Sequence, residues 1–211
     1  MKRFLATLPS LLATFVFVLS AQGADESPAV KAHFVDRNDP AVKDVLRYGI
    51  NAINRVGVSL VREVNTAMAQ GGPEGAVDVC HLKGLPLVNG LVAGMPRITA
   101  LKRTSFKVRN PANRPDEVDQ LALDQVKYLL DHGDEVPPLL VQRVEPAAGN
   151  PEWRVYKPVA VMPQCLACHG DPAGQPAGLR AKLTELYPED QAVGYNTGDW
   201  RGLIRVTVAD E

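Results

Sequence analysis

Gly94-Met95-Pro96-Arg97-Ile98-Thr99-Ala100-Leu101-Lys102-Arg103-Thr104 marks a change of period in this chain. Before Met95-Pro96 the apolar residues recur at helical spacing, and after it they follow an extended pattern. Upstream, Val42, Val45, Leu46, Ile50, Ile53, Leu60, Val61, Val64 and Met68 trace one helical stripe. Asp39-Pro40 opens it, a capping carboxylate followed by a proline suited to the first helical position. Gly71-Gly72 closes it. A second helical stretch is expected over residues 74–92, with Pro86 as a kink or break. Gly49 and Gly57 weaken the first helix but let a neighbour pack close against it.

Downstream, residues 98–108 read as one or two strands, ended by Asn110-Pro111. Residues 116–132 return to helical spacing through Val118, Leu121, Leu123, Val126, Leu129 and Leu130, with Gly133 as the stop. Residues 139–144 and 153–161 read as paired strands, 178–186 as a short helix and 203–208 as a last strand. Residues 24–38 read as an irregular lead-in. With no repeat or linker in view, this order predicts a single α+β domain.

The chain has 211 residues, 45% of them hydrophobic, enough for one real core. Its 23 basic and 24 acidic residues leave a formal charge of −1, without the basic excess that a nucleic-acid face requires. The N-terminus carries Lys2 and Arg3, then an apolar run over residues 4–19, then Ala21 and Gly23. That is the layout of a signal peptide, 1–23, cleaved after Gly23. An uncleaved anchor needs about 20 apolar residues, and this run is shorter and holds Pro9. The mature domain, 24–211, is therefore expected in the periplasm, with no membrane attachment after cleavage. Oxidising compartments pair cysteines, yet there are three, so at least one thiol has another fate.

Cys165-Leu166-Ala167-Cys168-His169 supplies that fate. Two thiols separated by two residues match the two vinyl groups on one porphyrin edge, and the following histidine can offer its imidazole to the iron. The pattern predicts one covalently attached haem c per chain. A thioredoxin-like couple would need a preceding βαβ unit, and a zinc site would need further paired ligands beyond Cys80. For the other axial position the residues leave Cys80, His81, His33, His132, Met68, Met95 and Met162 open. Cys80 and His81 adjoin on a helix, so they point about 100° apart and only one can face the iron. A buried free cysteine acting as a small hydrophobe is the bland alternative for Cys80. Arg103, Ser105, Lys107 and Arg109 alternate, and on one strand they would share a face able to clamp haem propionates. A solvated sheet edge would show the same cations.

Val79-Cys80, the run 103–113, Cys165 to Gly170, Tyr187-Pro188, and Gly194-Tyr195 with Gly198-Asp199 and Gly202 occur in an order that resembles a known family. It is a single-haem c-type family with a PAS-like fold, found as free periplasmic proteins and as sensory input regions of bacterial signalling proteins. The resemblance spans about residues 42–208. It implies an antiparallel sheet with long N-terminal helices, and axial ligation by the motif histidine and a cysteine, here His169 and Cys80. It also implies a structural or haem-contact role for Arg103 and Arg109. His81 directly after the cysteine departs from the pattern and leaves ligand exchange open.

Three functions follow from these readings. A redox or diatomic-gas sensor would use a releasable Cys80 and report to a signalling partner. An electron-transfer cytochrome would keep both axial positions filled and meet a redox partner. A peroxidase would need a distal acid–base pair, for which His81 and Arg103 are the residues to consider. The sensor is the leading expectation.

Overall fold

The computed structural model describes residues 30–210; the expected signal peptide lies outside the described residues. Five strands, β1 (Lys31–Val35), β2 (Ile98–Thr104), β3 (Leu140–Glu145), β4 (Glu152–Ala160) and β5 (Trp200–Ala209), form one sheet in the order β1-β3-β4-β5-β2. Every pairing is antiparallel, with Val141 opposite Val155, Val155 opposite Val206, and Arg103 opposite Ile204. β1 corrects the irregular lead-in. It is an edge strand whose side chains are mostly exposed, so no apolar alternation announces it.

Asp39 accepts the Ala41 N–H at 2.9 Å and starts a short 3₁₀ turn, Pro40–Val42, which runs into helix α1 (Lys43–Asp78). The helix lies across β4. A Cβ on Gly49 would sit 2.8 Å from Val155 Cγ2, so this glycine sets the approach distance, whereas Gly57 has open space beside it. Val45, Ala52, Ile53 and Val56 pack on Val141, Val155, Val206 and Val208, together with Val88 and Val92 of α2 (Gly84–Ala93). Burying each such valine is worth about 1.5–3 kcal/mol relative to exposure. Non-helical dihedrals at Gly71 and Gly72 (φ +62°) break α1 at the expected place.

The second break falls where Pro86 led one to expect it: the axis bends by 50° between Leu82 and Pro86. A π-helical turn, Val79–Lys83, which carries Cys80, leads into the bend. On the opposite face of the sheet lies α3 (Glu117–His132), opened by a reciprocal capping box between Asp116 and Asp119 and stopped by Gly133 in the left-handed region. Leu123 and Val126 pack there on Leu140, Tyr156 and Leu203. The sheet is thus covered by α1 and α2 on one side and α3 on the other: the expected α+β fold, with the antiparallel sheet and long N-terminal helix of the PAS-like reading. No single helix among the described residues is long and apolar enough to cross a membrane.

Candidate functional site

The strand expected over residues 98–108 stops at Thr104. Ser105 donates its hydroxyl to the Arg201 carbonyl at 2.8 Å and accepts the Lys107 N–H at 3.2 Å, which turns the chain out of the sheet. Gly202 (φ +136°) makes room for that turn, since a Cβ there would lie 2.3 Å from the Thr104 carbonyl oxygen. The four alternating residues therefore do not share one strand face. Arg103 stays on β2, and Arg109 is carried into the loop before the 3₁₀ turn Pro111–Asn113.

The turn walls a cavity between α1, the Cys80 turn, β2, β5 and the cysteine motif. Cys80, Arg103, Arg109, His169, Tyr187 and Arg201 line it, over an apolar floor that includes Leu60, Val64, Val88, Leu101 and Val159. The motif follows β4 through a 3₁₀ turn, Pro163–Cys165, into the one-turn helix α4 (Leu166–His169). Gly170 ends α4 by donating its N–H to the Leu166 carbonyl at 2.9 Å.

His169 is held by its Nδ1, which donates to the Ala192 carbonyl at 2.7 Å and leaves Nε2 with its lone pair. Burial, reinforced by the charges of Arg109 and Arg201, pushes its pKa down to about 3, so the imidazole is neutral over the physiological range. Burial pushes the Cys80 thiol up, opposed by Arg103 and Arg109; the side chain is nevertheless open to the mouth of the cavity. Cys168 is raised by burial and feels Cys80 and Cys165 as neighbours. The three thiols thus lie within electrostatic reach of one another.

His81 points elsewhere. Its Nδ1 meets the Tyr187 hydroxyl at 3.2 Å, and the two rings cross edge to face. Of the candidates left open for the other axial position, Cys80 lines the cavity, and His81, His33, His132, Met68, Met95 and Met162 are not among its lining residues. His132 is instead bonded to the Tyr128 carbonyl and stacked on that ring. Nor are His81 and Arg103 brought together as a distal peroxidase pair. Among the described residues no three His, Cys, Asp or Glu side chains are grouped as an all-protein metal site requires.

The cations divide into two kinds. Arg109 is a bracket: its Nε donates to Asp190 at 2.9 Å and its terminal nitrogen to the Cys168 carbonyl at 2.6 Å. Arg103 has no such engagement. Burial pushes its pKa down, and the groups of opposite sign that act on it are Cys165, Cys80 and Tyr195, none a carboxylate. Arg201 also lacks a carboxylate, though its guanidinium donates to the Lys107 carbonyl at 3.1 Å; it is pushed down to about 10 by burial and by the charge of Arg103, with its Nε buried and unbonded. Arg201, Asp190, Tyr187 and Tyr195 are the site residues that the sequence reading left without a role. Arg201 had a signal, a cation beside Gly202 at the start of an alternating strand. Asp190 had none.

Tyr195 packs edge-on to the His169 ring, with Lys107 4.6 Å and Arg201 5.3 Å from its own ring centre. Val77, Leu179, Leu183 and Tyr187 tie the Cys80 arm to helix α5 (Ala177–Leu186), with an added ion pair between Lys182 and Asp78.

The chain's relatives agree with this architecture. No curated protein matches the sequence. Among solved structures, the crystal structure of the cyanobacterial heme-protein Tll0287 superposes with a TM-score of 0.54 at 23% identity, covering 80% of this chain and 97% of that one. That likeness shows the fold. The family resemblance carried by the sequence motifs is borne out by a family model, described as Tll0287-like, that matches residues 90–209. With more than half of its residues so matched, the chain belongs to the Tll0287-like family.

Proposed function

We propose that this chain is an exported c-type haem protein, with one haem bonded to Cys165 and Cys168, His169 and Cys80 as axial ligands, and a redox- or gas-sensing role. The observation that carries the reading is one cavity lined by a neutral imidazole with a free Nε2, a thiol, and two arginines without carboxylate partners. The residues fit the group. Cys165 and Cys168 would hold the porphyrin edge, Arg103 and Arg201 would meet the propionates, and Leu60, Val64, Val88 and Leu101 would face the ring. When bound, the haem supplies a one-electron redox couple and an iron whose axial positions the protein controls.

The protein's own part is to keep His169 neutral and oriented through Ala192, and to present Cys80 on a π-helical turn open to the cavity mouth. An exposed thiol on a turn that is tied to α5 can leave without unfolding the sheet. This favours a releasable ligand, and so a sensor, over a sealed electron carrier. The product of sensing would be a shift between two arrangements of the Cys80 arm, read by a signalling or redox protein in the periplasm.

Optical and EPR spectra of the exported protein test this, oxidised and reduced, with and without carbon monoxide, beside Cys80→Ala. The expected result is a low-spin ferric thiolate signal that Cys80→Ala abolishes, and carbon monoxide binding after reduction. A six-coordinate spectrum that ignores both the substitution and the gas would make the protein an electron carrier and remove Cys80 from the site. Absence of covalent haem from the wild-type protein would overturn the reading altogether.

A further inference from the structure

We infer that Arg109 and Asp190 form a positioning pair that sets the ring orientation and donor strength of His169. The inference deepens the haem reading and rests on it for its consequence, but the geometry belongs to the protein chain alone. Arg109 and Asp190 are bonded at 2.9 Å, with side chains only 14% and 11% exposed. The carboxylate's other oxygen accepts the Ala192 N–H at 2.8 Å. The Ala192 carbonyl then accepts two donors, His169 Nδ1 at 2.7 Å and the Arg109 guanidinium at 3.3 Å.

That guanidinium also donates to the Cys168 carbonyl, one residue before His169. Gln191 donates its N–H to the Val108 carbonyl at 2.9 Å, tying the loop back beside Arg109. Tyr195 and Gly194 zip the same loop to His169 and Gly170.

The physical consequence follows from the shared carbonyl. An oxygen that already accepts from a cation is a weaker acceptor for the imidazole N–H, so His169 keeps a less imidazolate-like ring and Nε2 is a weaker donor. Without the guanidinium the Ala192 carbonyl would bind His169 alone, and the ring would gain electron density that favours an oxidised iron. The Asp190 carboxylate keeps Arg109 aimed at that carbonyl and fixes the carbonyl's own residue. Arg109 is therefore a bracket for the motif rather than the propionate clamp that its alternation with Arg103 suggested.

Arg109→Lys keeps the charge and removes the planar fork, which makes it the informative substitution. In the haem-loaded protein it is expected to change the low-spin EPR g-values and to move the reduced-to-oxidised ratio at fixed potential at least about threefold toward oxidised. Arg47→Lys, the same exchange at an exposed arginine of α1 outside the cavity, is expected to leave the g-values unchanged. In haem-free protein, nitrogen NMR of His169 reads the balance of its two tautomers, which Arg109→Lys should shift further toward Nδ1–H. Should Arg109→Lys fail to take up haem, Asp190→Asn gives the same readouts.

Wild-type tautomer, g-values and redox ratio in both variants would overturn the positioning role and leave the haem reading intact. A wild-type protein without haem, whose His169 tautomer still responds to Arg109→Lys, would overturn the haem reading and retain the pair.

Discussion

Lys102 and Arg103 are neighbours on one strand and live in opposite electrostatic worlds. Lys102 faces α3 and pairs with Asp119 at 2.7 Å, a carboxylate with no solvent exposure. The same carboxylate takes Arg154 at 3.3 Å and Arg205 at 3.6 Å, while Asp116 takes Arg154 at 2.7 Å and Arg205 at 3.3 Å. Tyr156 adds its hydroxyl to Asp119 at 3.1 Å. Arg103, one residue on, points to the other side of the sheet, where neither it nor Arg201 has a carboxylate. Arg103 is open to the cavity and Arg201 is half-buried there. The α3 face is electrostatically finished. The cavity face is not.

The largest effect that separates the two faces should come from Asp119→Ala. It removes the buried carboxylate from Lys102, leaves Asp116 to hold Arg154 and Arg205, and is expected to cost about 3–5 kcal/mol in urea unfolding. An unchanged midpoint would erase the contrast.

Arg103→Leu is the mirror test. In haem-free protein it should leave stability equal or higher, and in haem-loaded protein it should cost about 1.5–3 kcal/mol, the range for a hydrogen bond to a charged group. Equal effects in the two forms would mean that Arg103 serves the fold and not a ligand.

Tyr156→Phe should cost about 1 kcal/mol in either form, since it removes one hydrogen bond from a group that keeps its cations. A difference between loaded and haem-free protein would show that the two faces communicate through β4.

The smallest effect near neutrality is acid dependence. Burial works to raise the Asp116 pKa, but the Arg154 hydrogen bond, the Asp119 N–H and the charges of Arg154 and Arg205 together hold it below the ordinary value. A depressed carboxylate stabilises the fold above its unfolded pKa of about 3.9, and that contribution disappears as pH falls through the folded value. Stability should thus be insensitive to Asp116 above about pH 5 and fall below about pH 4, and Asp116→Asn should flatten that acid limb. An acid limb identical in Asp116→Asn would remove this carboxylate from the network's pH response.

Much of this was legible in the chain before folding. The helix cap at Asp39, the stop at Gly133, the break at Gly71-Gly72 and four of the five strands follow from local pattern, because each is a property of a few consecutive residues. Two readings failed for a common reason. β1 has no apolar face, and the strand after Ile98 is cut short by a hydroxyl bonding across to Arg201. In each case a partner far away in sequence, β3 for β1 and Arg201 for Ser105, overrides the local signal.

By itself, then, the sequence determined the α+β order and set out the Cys165–His169 motif and a third cysteine, Cys80. Which cations are paired, which imidazole shares a cavity with Cys80, and that Arg109 braces His169 through Asp190 were decided only by the tertiary structure. Those are statements about groups as much as 81 positions apart, as Arg109 and Asp190 are, and electrostatic pairing depends on distance through space, which spacing along the chain does not encode.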